Sequence, residues 1–173
     1  GLPVLRLRRA WRTGTENDPV AWRSAVLALL RELAIQLPPD PVAIAVDGTS
    51  GTLLAIDAQG EALGPALLYH DPRARAQAKR IHAIAPRESA AHGSASSAAK
   101  LLWLRDQELL SGAVRVLHQA EWVAGTLLGR YDRGDENNAL KLGYDPDAGD
   151  WPRWWRDELG PLASLLPRVV EIG

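Results

Sequence analysis

Three observations predict a layered α/β fold. Residues 18–37 carry apolar side chains at helical spacing. They are preceded by an alternating segment at 4–11 and followed at once by a continuous apolar run at 42–46. Alternation marks a strand with one wet face, whereas a continuous run marks a strand covered on both faces. Strand, amphipathic helix, buried strand is the order of an α/β layer rather than of a helical bundle.

The first predicted strand alternates Leu5 and Leu7 with Arg6 and Arg8, and a loop follows at 12–17. Asp18 is a good N-cap and Pro19 suits the first helical position, after which Trp22, Val26, Leu29, Leu30, Leu33 and Leu37 share one face. Pro38 and Pro39 should stop that helix. The second strand at 42–46 leads into Asp47-Gly48-Thr49-Ser50-Gly51-Thr52, and 53–56 is apolar again. The turn at 58–61 and the apolar run at 63–69 make 53–69 a hairpin. Asp71 can cap a helix starting at Pro72 and reaching about Ile84, with Ala74, Ala78 and Ile81 inward. Residues 85–97 are loop-like, with Pro86, Gly93 and several serines. Further helices are predicted at 98–110 and 119–128, with a short buried strand at 114–117 between them. The polar run 132–138 follows. Trp151, Trp154, Trp155 and Leu159 mark a last amphipathic helix, and 161–172 reads as a tail.

Composition narrows the function. A chain of 173 residues that is 46% apolar and 24% charged suits one globular domain with a real core. A net charge of -1 argues against electrostatic capture of nucleic acid or an acidic membrane. With no cysteine there are no disulfides and no thiolate chemistry. The apolar runs are too short to span a bilayer, and the arginines within 1–10 do not suit a secretory signal, so a cytoplasmic location is expected. The chain opens on glycine and has no methionine, which suggests a piece of something longer.

The loop at 47–52 is the most informative stretch. Two glycines permit sharp backbone, while a carboxylate and three hydroxyls offer hydrogen bonds at a strand end. The same residues suit an ordinary hairpin loop whose side chains satisfy their own backbone. A P-loop reading fails because the loop has no lysine, and no Rossmann glycine triplet occurs. Ser50 does not sit in a nucleophile elbow, since the residues after it read as strand rather than helix. The histidines at 70, 82, 92 and 118 lack metal-pair spacing and read as surface or hydrogen-bonded residues.

Five segments occur in one order: AIAVDGTSGTLLAID, PALLYHDPRA, SASSAAKLLWLRD, HQAEWVAGTLLGRYDRGDENNALKLGYDP, and WPRWW with LLPRVV. Together they resemble the first domain of the FGGY carbohydrate kinases, closest to the D-ribulokinase branch, from about Leu5 to the end. The resemblance implies an actin-like, ribonuclease-H-like α/β fold, here the first domain of a two-domain sugar kinase truncated at both ends. Residues 1–173 would be that domain without its first phosphate-loop hairpin, and the second domain would be absent. Asp47-Gly48-Thr49 is not the family's Asp-x-Gly-Thr motif, because Thr stands two after the Asp. The implied reaction is phosphoryl transfer from ATP, with Mg²⁺, to a pentulose hydroxyl, D-ribulose first. Its general base would be an aspartate outside this chain, so the chain alone would be inactive. Alternatives are a xylulokinase or another polyol kinase of the family, or a non-catalytic sugar-sensing domain.

By the same resemblance, the sugar-contacting side chains fall in the 47–52 loop. Ser50 is the first choice for a hydrogen bond to substrate, with Asp47 and Gly51 in support. Tyr69 matches the family's aromatic position at the hairpin end, with Asp71 and Arg73 beside it. Asp71 equally suits a helix cap, and Arg73 a surface ion pair. Ser96 and Ser97 match a segment lining the sugar pocket, though both also suit the N-cap of the following helix. Asp135, Asn137 and Asn138 match a stretch bordering the cleft, where Asn138 also suits a structural role. Nucleotide-binding residues are not assigned within the chain, and no metal ligand is expected in it. The partner expected is a small sugar, with no nucleic acid or membrane, and self-association as a homodimer through exposed apolar surface.

Overall fold

The computed structural model describes residues 5–37, 43–93 and 95–170. The first helix, α1 (Pro19–Gln36), starts as its sequence dictates: the Asp18 carboxylate accepts from the Val20 amide at 2.9 Å, and Pro19 takes the first turn, where its missing N–H costs nothing. The prolines at 38 and 39 lie outside the described residues.

Strand β1 (Leu53–Ile56) is buried throughout and pairs antiparallel with β2 (Arg115–His118), Leu53 opposite His118 and Ile56 opposite Arg115. Bridges from Leu53 to Leu67 and from Ile56 to Ala62 close the predicted hairpin around the turn at 58–61. The helices are α2 (Arg75–Ile84), α3 (Ser97–Asp106), α4 (Gln119–Leu128), α5 (Glu136–Leu142) and α6 (Arg153–Leu159). A second small sheet pairs β3 (Arg133–Asp135) in parallel with β4 (Arg168–Val170). No helix among the described residues is long and apolar enough to cross a membrane.

Period-two alternation splits β1 and β2 between two cores. Leu53, Ala55 and Val116 face the core made with α2, α3, α5 and α6, where Ile81, Leu101, Leu102, Leu142 and Trp155 are buried. Leu54, Ile56 and Leu117 face the other core, with Trp22 of α1 and Trp122 of α4. The two indoles meet edge to face at 6.2 Å. Each satisfies its N–H on a distant carbonyl: Trp22 on Glu16 and Trp122 on Gly60, both at 2.9 Å. Glu158 of α6 links Arg80 of α2 and Arg105 of α3 at 2.7 and 3.0 Å, tying the first core's helices at their outer edge.

Several expectations need correction. Residues 5–11 and 43–46 form no strand, although Leu5 and Leu7 are half-buried and Arg6 and Arg8 exposed, as alternation predicts. Among the described residues no strand lies beside either segment to complete a ladder, and Ile44 is 60% exposed rather than buried. Val42 and the start of the first segment lie outside the described residues. Of the predicted inward face of α1 only Trp22 is buried; Val26, Leu29, Leu30 and Leu33 stay half-buried. The second helix starts at Arg75, not Pro72, because a turn at 73–74 intervenes, and Asp71 does not cap it. The third stops at Asp106, with Glu108 in the left-handed region and Leu109 exposed. Residues 160–170 are no tail: a 3-10 turn (Gly160–Leu165) buries Leu165, and β4 hydrogen-bonds to the polar stretch that holds β3.

Trp122→Ala should destabilise the fold by about 3–5 kcal/mol in urea unfolding, the range for emptying a buried indole site. A loss below about 1 kcal/mol would contradict the second core.

Candidate functional site

The site is built where the N-termini of α3 and α4 meet the 47–52 loop. Glu121 caps α4: its Oε2 accepts from the His118 amide at 2.6 Å and lies 3.1 Å from His118 Nδ1. His118 Nε2 lies 2.9 Å from Ser97 Oγ in the first turn of α3. Ser97 and His118 are fully buried and Glu121 nearly so. The set has the order of a hydrolase triad but no access to substrate, and its geometry instead fastens α3 to α4.

Lys100, one turn into α3, is 1% exposed. Its ammonium donates to the carbonyls of Gly51 at 2.6 Å, Tyr69 at 3.3 Å and Ala95 at 3.4 Å. Burial lowers its pKa to about 8; Asp71 opposes this and Lys141 adds to it. The chain at Gly51 is tight against Ala95. Its φ is +85°, and a Cβ there would lie 2.7 Å from Ala95 O. A Cβ on Gly48 would likewise meet the Ala120 amide nitrogen at 2.9 Å, so the loop rests directly on the start of α4.

A cleft of about 430 Å³ opens over this arrangement. Asp47, Gly48, Thr49 and Thr52 line one wall, Leu68, Tyr69 and His70 another, and Trp11, Glu16 and Gln119 complete it. The volume and the convergent polar groups suit a small hydroxylated ligand. A larger hollow of about 570 Å³ lies between α4 and β3, but its walls are mainly aliphatic. There Asp132 stands 3.8 Å from both Arg130 and Arg133.

The structure brings Asp47 and Tyr69 into the cleft, leaves Ser50, Gly51, Asp71 and Ser96 on the loop, hairpin end and α3 start next to it, and places Asn138 on α5, outside its lining. Ser50 sits at the turn of the loop, half-buried, and has no hydrogen bond among the described residues. Gly51 faces Ala95 and Lys100. Asp71 accepts from the Arg73 amide and pairs with its guanidinium at 2.6 Å. These bonds hold its carboxyl below the usual carboxylate range, while the guanidinium lies 4.7 Å from the Trp103 ring centroid. Ser96 caps α3 by accepting from the Ala99 amide at 3.0 Å. Asn138 donates from Nδ2 to Asp135 at 2.7 Å, while Asp135 also accepts from the Asn138 amide and so caps α5.

Two residues escaped sequence reading. Lys100 is a lone lysine in an apolar run, and only that inconsistency with the burial of α3 marks it. Gln119 begins α4, and its Oε1 accepts from the Thr49 amide at 3.0 Å, a contact across 70 positions that leaves no local pattern.

No protein-family model matches the chain. It is 31% identical over 172 residues to a xylulose kinase of Streptomyces coelicolor, an alignment covering 93% of this chain and 35% of that one. Its fold superposes on a ligand-bound xylulose kinase of Lactobacillus acidophilus with a TM-score of 0.74 at 20% identity, covering 88% of this chain and 33% of the other. A gluconate kinase of the same organism gives 0.73 at 19% identity over the same shares. The chain thus spans about a third of the length of its relatives, and it has the mixed α/β fold of the first domain of a two-domain sugar kinase.

Lys100→Met should cost about 1–3 kcal/mol, since three carbonyls lose their donor. The folded-state pKa lies below the free amine's 10.5, so between about 8 and 10.5 the unfolded chain binds more protons and this group's contribution rises with pH. Urea titrations across that window should show wild type gaining on Lys100→Met; a falling difference would overturn the assignment. Gly51→Ala, forced against Ala95 O, should destabilise by more than about 1 kcal/mol in the same measurement.

Proposed function

We propose that this chain is the sugar-facing part of an FGGY-type carbohydrate kinase that transfers a phosphoryl group from ATP to a ketopentose hydroxyl. The observation that carries the reading is the 31% identity to a xylulose kinase over 93% of the chain. The polar cleft supports it, because a sugar needs a few fixed donors and acceptors whose desolvation only the right stereoisomer recovers. D-Ribulose is supported by the D-G-T-S-G-T loop and the N-N-A-L-K-L-G-Y run, and D-xylulose by the names of the relatives.

On this reading the chain orients the sugar. Asp47 and Tyr69 border it directly, and Ser50 offers a hydroxyl at the loop's turn. Gly51, Asp71, Ser96 and Asn138 hold the surrounding backbone in place. Among the described residues no group of three or more His, Asp or Glu converges, and on this reading Mg²⁺ comes with the nucleotide phosphates rather than in an all-protein cage. The ion, the nucleotide and the general-base aspartate would be held outside these residues. A cytoplasmic setting and homodimer formation through exposed apolar side chains such as Ile44 and Leu128 belong to the same proposal.

The test is ADP release by the intact protein with ATP and a panel of D-ribulose, D-xylulose, ribitol and glycerol. A ketopentose should give the highest kcat/KM. Preference for glycerol would sink the reading, and sugar binding without ADP release would make this a sensing domain. Ser50→Ala should lower kcat/KM about tenfold, the scale of one lost hydrogen bond to a substrate hydroxyl, and an unchanged value removes Ser50 from the site.

A further inference from the structure

The cleft contains two polar groups with unused hydrogen-bonding capacity, and they adjoin each other in the fold. Gln119 is held twice: its backbone amide donates to Thr52 O at 3.2 Å, and its Oε1 accepts from the Thr49 amide at 3.0 Å. A backbone N–H can only donate, so the side-chain atom facing Thr49 is the oxygen, and the amide's orientation is fixed. The NH₂ is left at the cleft lining with no partner among the described residues. Thr52 lines the same cleft, is fully buried, and its hydroxyl also has no partner among the described residues. Thr52 Oγ lies beneath the surface, whereas Gln119 is half-exposed at the cleft wall, so its NH₂ has both hydrogens free for what the cleft receives.

We propose that Gln119 is a substrate-orienting residue whose NH₂ donates to a sugar hydroxyl. This rests on the ketopentose reading above and adds a specificity determinant to it. The donor is rigid because α4 begins at Gln119 and the capping of that helix by Glu121 fixes its first turn. A fixed donor distinguishes epimers that differ in the direction of one hydroxyl, since the wrong epimer leaves the NH₂ unpaired.

Gln119→Glu separates binding from structure: a carboxylate oxygen still accepts from Thr49, but the NH₂ donor is gone. Calorimetric titration of the intact protein with D-ribulose and D-xylulose should show Kd for the preferred sugar rising about tenfold in Gln119→Glu, with the thermal unfolding midpoint unchanged. An unchanged Kd in a protein whose wild type binds sugar overturns the inference and leaves the kinase reading intact. A wild type that binds neither ketopentose overturns both. Should Gln119→Glu fail to fold, the side-chain ¹⁵N amide resonances of wild-type Gln119 decide. They should shift on saturation with the sugar, and resonances that stay in place overturn the inference.

Discussion

The candidate site depends on one buried ammonium. Moving Lys100 out of water is costly, and three main-chain carbonyls and the nearby charge of Asp71 offset the cost. The dependence runs both ways. The carbonyls come from the 47–52 loop, the hairpin end and the segment before α3, which have no strand pairing with one another at those positions. Without the ammonium, each would face its neighbours unpaired. None of the three can therefore relax alone, and a ligand meeting the loop meets backbone braced by the whole set.

The opposite side of the loop is braced by α4. Gly48 rests on the Ala120 amide, the Thr49 amide donates to Gln119, and Thr52 accepts from the Gln119 amide. Ser97 and Glu121, through His118, join that helix start to the start of α3. The loop is thus held between two helix N-termini that are themselves joined. Below it, alternate residues of β1 enter opposite cores, so this one strand is covered on both faces and joins the two cores.

Local signals made much of this legible. The Asp18-Pro19 start of α1, the whole of α4 and the hairpin turn rest on caps, spacing and turn chemistry carried within a few residues. The run at 43–46 misled because a buried strand is defined by neighbours that no local pattern supplies. The tail at 161–170 misled for the same reason, as its strand is made by pairing with residues more than thirty positions away. In the site, the glycines and hydroxyls of the loop announced themselves. Lys100 and Gln119 did not, because each matters only through partners brought to it by the fold.

Hydrogen-bond accounting then ranks the residues that surround the cleft. Asp71 is committed to Arg73, Ser96 to the cap of α3, and Asn138 to Asp135. Each keeps some capacity beyond that bond, but the bond fixes its orientation, so a sugar can take up only what that orientation leaves. Ser50 and the NH₂ of Gln119 have no such partner among the described residues, so a hydroxyl placed against them adds a bond without removing one. On the proposed reading the partnered residues fix where the backbone stands, and the unpartnered ones would meet the ligand. Stereochemical discrimination in a cleft of this kind falls on the second group, because only there does a misplaced hydroxyl leave a protein group unsatisfied.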